Sequence, residues 1–265
     1  MVLKLGGELL EQPQDVRRVA RAIARLSRRA SLVVVHGGGR EIDVALEAAG
    51  IPKQQVDGLR VTDARTLEVV VAVLAGAINT RLVAAVRRAG AQPVGLTGAD
   101  ATVATVKRAA PIVSAAGERV DLGLVGAPVN NGTPRLLTDL LARGYVPIVA
   151  CVGATRDGRL LNVNADTLAS HLAAATGARR LVIAGGTSGV LDDQGKTIDR
   201  LTTQEAARLV KAGTANKGMV AKLQACRAAL QAGVGDVVIA NGRNTRLGTL
   251  ADASARLTAC TQVVR

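Results

Sequence analysis

Two hydrophobic patterns alternate along the chain. Short, unbroken apolar runs rich in β-branched residues have strand length: VLKL at 2–5, SLVVVH at 31–36, YVPIVACV at 145–152, RLVIA at 180–184 and DVVIA at 236–240. AQPVGLTG at 91–98 reads as a further buried strand, with LLNVN and TQVVR as short ones, and 102–107 with 118–129 as an antiparallel excursion. Between these runs, apolar residues recur three and four positions apart, as an amphipathic helix requires. In 14–29 they are Val16, Val19, Ala20, Ile23 and Leu26, which form one stripe.

Local signals set the helix ends. Glu41 to Ala49 is closed by Gly50, a residue that tolerates the left-handed turn ending a helix. Residues 63–89 hold one long helix or two short ones. Thr133-Pro134 reads as a cap followed by proline in the first turn of a helix that Gly144 ends. Asp166 to Thr176 ends at Gly177, Thr202-x-x-Glu205 is a capping box for a helix to Ala212, and Lys217 to Ala232 is helical. Continuous apolar strands separated by helices imply a mainly parallel sheet covered on both faces, so the predicted class is α/β. With no repeat or low-complexity linker, a boundary near Gly177 divides two closely packed lobes, 1–177 and 178–265.

Composition narrows the function. At 265 residues and 48% hydrophobic content the chain can bury a large core. The longest nearly uncharged apolar stretch, Val69 to Ile78, is shorter than the roughly 18–20 residues that span a bilayer, and MVLKLGG is not a signal peptide. No membrane and a cytoplasmic location are expected. Cys151, Cys226 and Cys260 are odd in number and far apart, and His36 and His171 are isolated, so neither a disulfide framework nor a metal cluster is indicated. The net charge of +13 attracts anions. The basic residues are scattered, however, and Tyr145 is the lone aromatic side chain, which argues against nucleic acid as a partner.

The chemistry lies in the glycines. VVVHGGGREI at 33–42 places Gly37, Gly38 and Gly39 between a strand and a helix, and KLGGE, GLTGAD and IAGGTSG repeat the arrangement after other strands. Ligands of open parallel sheets sit outside the carboxyl ends of the strands, and glycine turns at helix mouths let backbone N–H groups approach an anion. Four such clusters suggest a rim for phosphates. Neither GxxxxGK[ST], GxGxxG with its later acidic residue, nor the protein-kinase motif set is present.

KLGGE at 4–8, VVVHGGGREI at 33–42, GLRVTD at 58–63, NVNADTLA at 162–169, SGVLD and KGMVAKLQA at 217–225, in that order, resemble the amino acid kinase family over essentially the whole chain. GLRVTD together with NVNAD resembles the members that act on acylated acidic amino acids. The resemblance implies a three-layer α/β/α sandwich and transfer of the ATP γ-phosphoryl group, with Mg²⁺, to the side-chain carboxylate of N-acetyl-L-glutamate. It implies that Lys4 and Lys222 flank the phosphoryl group and that Asp166 orients both. Gly38, Gly39, Arg60 and Asn162 would hold the substrate. Gly6 and Gly7, the Gly186, Thr187, Ser188 and Gly189 loop, and Lys217, Gly218 and Met219 would hold phosphates and nucleotide.

Singly, each residue has a plainer reading: Lys4 as strand-edge charge, Asp166 as a helix cap, Arg60 and Lys222 as surface cations. Where the family carries Thr or Ser followed by Asp, this chain has Gly185-Gly186-Thr187. The chain opens at the first strand, without the N-terminal helix with which arginine-inhibited relatives build hexamers, so a homodimer without arginine feedback is expected, with Val69 to Ile78 at its interface. An acidic carrier bearing glutamate or aminoadipate, N-succinylglutamate as acceptor, and a non-catalytic ligand-binding role stand as alternatives.

Overall fold

The computed structural model describes residues 1–114, 116–211, 217–243, 247–250 and 260–265. The first half of the chain runs β1 (Val2–Leu5), α1 (Pro13–Ser27), β2 (Val33–His36), α2 (Gly39–Ala48) and a hairpin of β3 (Gln55–Val56) and β4 (Leu59–Arg60). A continuous helix follows, made of α3 (Ala64–Val71), a π-helical stretch (Ala72–Ile78) and α4 (Asn79–Arg88). Then come β5 (Pro93–Thr97), β6 (Val106–Arg108), β7 (Ile112–Val113), β8 (Arg119–Val120), β9 (Val125–Pro128) and α5 (Arg135–Ala142). The second half runs β10 (Val146–Ala150), β11 (Val152–Ala154), β12 (Leu160–Val163), α6 (Ala165–Ala175), β13 (Arg180–Gly185), β14 (Arg200–Thr202), α7 (Thr203–Lys211), α8 (Lys217–Gln231), β15 (Asp236–Asn241) and β16 (Cys260–Val264).

Eight strands form the main sheet in the order β14-β16-β15-β13-β1-β2-β10-β5. All neighbouring pairs are parallel except β15 with β16. Every residue of β1, β2, β10 and β13 is buried, which requires cover on both faces and explains the unbroken apolar runs. α6 packs on α8 and on β1, β2 and β13, while α1 packs on α4, which reaches β5 and β10. A smaller sheet, β11-β12-β9-β6, stands beside the main one.

Several expected boundaries shift for local reasons. β5 is an edge strand with half-exposed residues, not a buried one, because only β10 pairs with it. α5 starts at Arg135, with Pro134 in the cap position and no side-chain cap from Thr133. The cap of α6 is Asn164, whose Oδ1 accepts from the N–H groups of Asp166 (2.9 Å) and Thr167 (3.1 Å), so the Asp166 carboxylate is free for another role. The capping box of α7 forms as read: Glu205 Oε2 accepts from Thr202 N–H at 2.7 Å and Thr202 Oγ1 from Glu205 N–H at 3.2 Å. The expected end of that helix at Ala212 lies outside the described residues.

The helix Ala64–Arg88 is long and apolar enough to cross a bilayer by length and composition, although 33% of its most apolar window is buried in this fold. Its inner side is pinned: Asn79 Nδ2 donates to Ile148 O at 2.9 Å and sits 3.1 Å from His36 Nε2.

Candidate functional site

β1 and β2 are central neighbours, and their carboxyl ends carry the first two glycine turns. The turns touch backbone to backbone: a Cβ at Gly7 would lie 2.8 Å from Gly38 Cα and 3.1 Å from Gly39 N. A Cβ at Gly38 would overlap Ile78 Cδ1 and meet Leu74 Cδ2 at 3.0 Å, whereas at Gly39 it would meet nothing within 4 Å. The triple glycine therefore has two separate reasons. Gly38 is bare because the π-helical stretch packs on it, and Gly39 faces open space.

A cleft of about 370 Å³ opens here, lined by Lys4, Gly6, Gly7, Gly38, Gly39, Arg60, Asn162, Asp166 and Lys222 together with Glu8. A larger groove of about 800 Å³ beside α6 and α8 is walled by alanines with His171, and no lysine, arginine or carboxylate lines it. Charge, not size, marks the smaller cleft.

Lys4 is 6% exposed at the centre of the sheet, and its Nζ lies 2.9 Å from Asp166 Oδ1. Burial opposes the ammonium charge, but Asp166 and then Glu8 outweigh it, so Lys4 titrates above the usual lysine value. It is charged at neutral pH. Beneath the pair, burial pushes the Cys151 thiol up to about 12, which leaves it protonated.

Lys222, on the first turns of α8, lines the same cleft, and its Nζ is 3.4 Å from Gly218 O. The ion pair of Asp166 is thus with Lys4, while Lys222 is tethered to its own helix. Arg60 Nη2 donates to Gly39 O at 3.2 Å and pairs with Asp43, which also takes Lys53 at 2.6 Å. Arg60 Nη1 is buried without a hydrogen-bond partner among the described residues. A buried guanidinium N–H without a partner is a donor awaiting an acceptor. Asn162 Nδ2 donates to Thr62 Oγ1 at 3.1 Å.

Of the residues expected on the nucleotide side, Gly6 and Gly7 line this cleft, whereas Gly186–Gly189, Gly218 and Met219 do not. Gly186 and Thr187 are exposed after β13, and the loop is pinned by Asn241 Nδ2, which donates to Gly186 O at 3.1 Å and lies 3.4 Å from Ser188 Oγ. Gly189 has φ +90, and a Cβ there would run into Thr261. Met219 is buried in the core, Gly218 is exposed, and the Lys217 side chain lies outside the described residues.

Among the described residues no histidine lines the cleft. His36 is fully buried, with Nδ1 3.2 Å from Gly37 O and Nε2 facing the Asn79 amide, and burial drives its pKa down to about 4. The ring is neutral and structural. Sequence reading missed Glu8, Asp43, Asn79 and Asn241; Glu8 stands inside the quoted KLGGE motif, and the other three carry no local signal.

Two lysines on one cleft, an unpartnered guanidinium N–H and bare glycine turns at the carboxyl edge of a parallel sheet are features that suit an α/β protein to phosphoryl groups and carboxylates. The chain belongs to the amino acid kinase family, whose model matches residues 1–241. Among curated relatives, it is 42% identical over 243 residues to an acetylglutamate kinase of Methanopyrus kandleri, covering 91% of this chain and 94% of that protein. An acetylglutamate kinase of Bartonella tribocorum is 43% identical over 249 residues, covering 92% of this chain and 82% of the relative. Among solved structures, N-acetylglutamate synthase from Neisseria gonorrhoeae, complexed with coenzyme A and N-acetyl-glutamate, has a TM-score of 0.83 at 26% identity. That match covers 100% of this chain, which spans 59% of the synthase chain.

Proposed function

We propose that this protein transfers the γ-phosphoryl group of ATP to the side-chain carboxylate of N-acetyl-L-glutamate, forming an acyl phosphate for arginine biosynthesis. The observation that carries the reading is the convergence of Lys4, Asp166, Lys222 and Arg60, whose buried Nη1 has no partner, on one cleft. It is supported by relatives named acetylglutamate kinase at about two-fifths identity over nine-tenths of the chain.

The chemistry fits a site with no free base. A carboxylate acceptor is already ionised at neutral pH, so no proton has to be removed from it. One carboxylate oxygen attacks the γ-phosphorus, the bond from that phosphorus to the bridging oxygen breaks, and ADP leaves with the electron pair. The protein's task is to align two anions and to neutralise charge spreading over the phosphoryl oxygens. Lys4 and Lys222 face that charge from opposite sides, and Asp166 holds Lys4 in place. Gly38 and Gly39 bring backbone close to the acceptor, Arg60 Nη1 takes its α-carboxylate, and Asn162 takes its acyl group. Gly6 and Gly7 approach the phosphates. The Gly186–Gly189 loop with Lys217, Gly218 and Met219 flanks the nucleotide, which assigns 1–177 to acceptor and 178–265 to donor.

Mg²⁺ would supply charge neutralisation on the nucleotide phosphates. Among the described residues no three His, Cys, Asp or Glu side chains converge, and Asp166 is engaged by Lys4. The described residues do not by themselves form a cage for the ion.

The reading extends to a cytoplasmic homodimer. Its supports are three free, buried cysteines and the Ala64–Arg88 helix, whose half-buried Val69, Val71 and Val73 stand beside exposed Ala72 and Ala77, a face suited to a two-fold contact. The direct test is to trap acyl phosphate as hydroxamate with ATP and N-acetyl-L-glutamate, N-succinylglutamate or carrier-bound glutamate, with Lys222→Ala as control. Product with the acetylated substrate, and a rate on the order of 10²-fold lower in the variant, is expected. Turnover of carrier-bound substrate alone, or no product above the control, overturns the assignment.

A further inference from the structure

The carboxylate of Glu8 occupies an unusual seat. Glu8 lies in the short 3₁₀ turn Gly7–Leu9 directly after β1, and its side chain folds back over Gly6, where a Cβ would overlap Oε2 and come within 2.6 Å of Oε1. Oε1 accepts a hydrogen bond from Gly186 N–H at 2.8 Å. A Cβ at Gly185 would lie 3.0 Å from the same oxygen and 3.9 Å from Lys222 Cε. The field of Glu8 also reaches Lys4 and strengthens its hold on a proton. Three glycines, one of which supplies a backbone N–H, and the field of Lys4 thus surround a negative charge contributed by the protein itself, with Lys222 lining the same cleft. The backbone of the turn is secured separately, because Arg243 Nη2 donates to Glu8 O at 2.8 Å.

We infer that Glu8 determines nucleotide affinity: its carboxylate is a resident anion in the seat of the nucleotide's phosphates and latches the Gly186 loop to the β1 turn until a phosphate displaces it. The inference rests on the reading of this cleft as a phosphoryl-transfer site. A phosphate oxygen would seek the same N–H and the same ammonium groups, and like charges packed together disfavour each other. Nucleotide therefore binds only as Glu8 swings out, and part of its attraction to Lys4 and Lys222 goes into replacing a charge already present. A neutral side chain of equal shape leaves the hydrogen bond to Gly186 available and removes the competition.

The experiment is calorimetric titration of ADP into the wild-type protein, Glu8→Gln and Lys222→Ala, with EDTA and again with Mg²⁺, alongside melting temperatures. Glu8→Gln is expected to bind ADP on the order of tenfold more tightly in EDTA and to lower the KM for ATP, while Lys222→Ala binds ADP more weakly. If Glu8→Gln misfolds, Glu8→Ala is read for the same tightening. Equal or weaker ADP binding by the Glu8 variant, with Lys222→Ala still impaired, sinks the latch and leaves the phosphate site standing. Weakening of Glu8→Gln confined to Mg²⁺ shows that the carboxylate serves the ion, and that also overturns the proposal. If both variants bind ADP as the wild type does, the reading of the cleft itself fails.

Discussion

Lys4 and Lys222 reach one cleft from opposite ends of the chain, yet their surroundings differ. Lys4 sits on the central strand, almost wholly buried, with its ammonium group 2.9 Å from a carboxylate that is equally buried. Lys222 is half-buried near the start of α8, and its ammonium group reaches a carbonyl of its own helix at 3.4 Å. One cation is therefore part of the folded core, and the other is held loosely at its margin. The Lys4 side of the cleft is preorganised, whereas the Lys222 side keeps freedom to adjust.

That contrast can be broken by mutation. Asp166→Ala leaves Lys4 buried without its counter-charge, and it is expected to cost about 3–5 kcal/mol of stability as well as activity. Lys222→Ala is expected to leave the urea midpoint unchanged while turnover falls on the order of 10²- to 10³-fold. Equal loss of stability in the two variants, followed by chemical denaturation, would erase the distinction.

Acid probes the same core from another side. The pKa of His36 is about 4 in the fold against an ordinary value of 6.5, so between these values the unfolded chain binds a proton that the native state does not. Stability is then complete above pH 6.5 and declines as pH falls toward 4, by at most about 3 kcal/mol. Denaturation midpoints at pH 7.5 and 4.5 should show the decline and His36→Asn should flatten it; an unchanged slope in the variant would assign the effect to other groups. A smaller effect is expected at the cap of α6, which positions Asp166. Asn164→Ala should cost about 1 kcal/mol, and turnover should fall through misplacement of Asp166 with little change in the α8 side. Unaltered turnover would show that the ion pair sets its own geometry.

Elements governed by neighbouring residues were legible in the sequence. The buried strands, the stripe of α1, Gly50 and Gly177 after their helices, and the Thr202–Glu205 box all follow from short-range steric and hydrogen-bonding rules. Edge position was not legible: AQPVGLTG has the apolarity of a central strand, and only the strand order leaves it with one neighbour. Arg60 was legible as a cation beside a glycine, but its pairing with Asp43 and its open Nη1 depend on how a hairpin docks on α2. The contact of Glu8 with Gly186 spans 178 positions, a separation at which no periodicity speaks.

The alternation of apolar runs and amphipathic stripes was enough to set a parallel α/β sheet with glycine turns at its carboxyl edge, because backbone hydrogen bonding and burial act on patterns a few residues long. Which groups meet at that edge was a matter for the tertiary structure alone. Strand order sets β1 beside β2 and β13, α6 carries Asp166 to Lys4, and the π-helical stretch fills the space beneath Gly38. Charge pairing and close contact act over ångströms in space, and only the completed fold determines which distant residues lie within them.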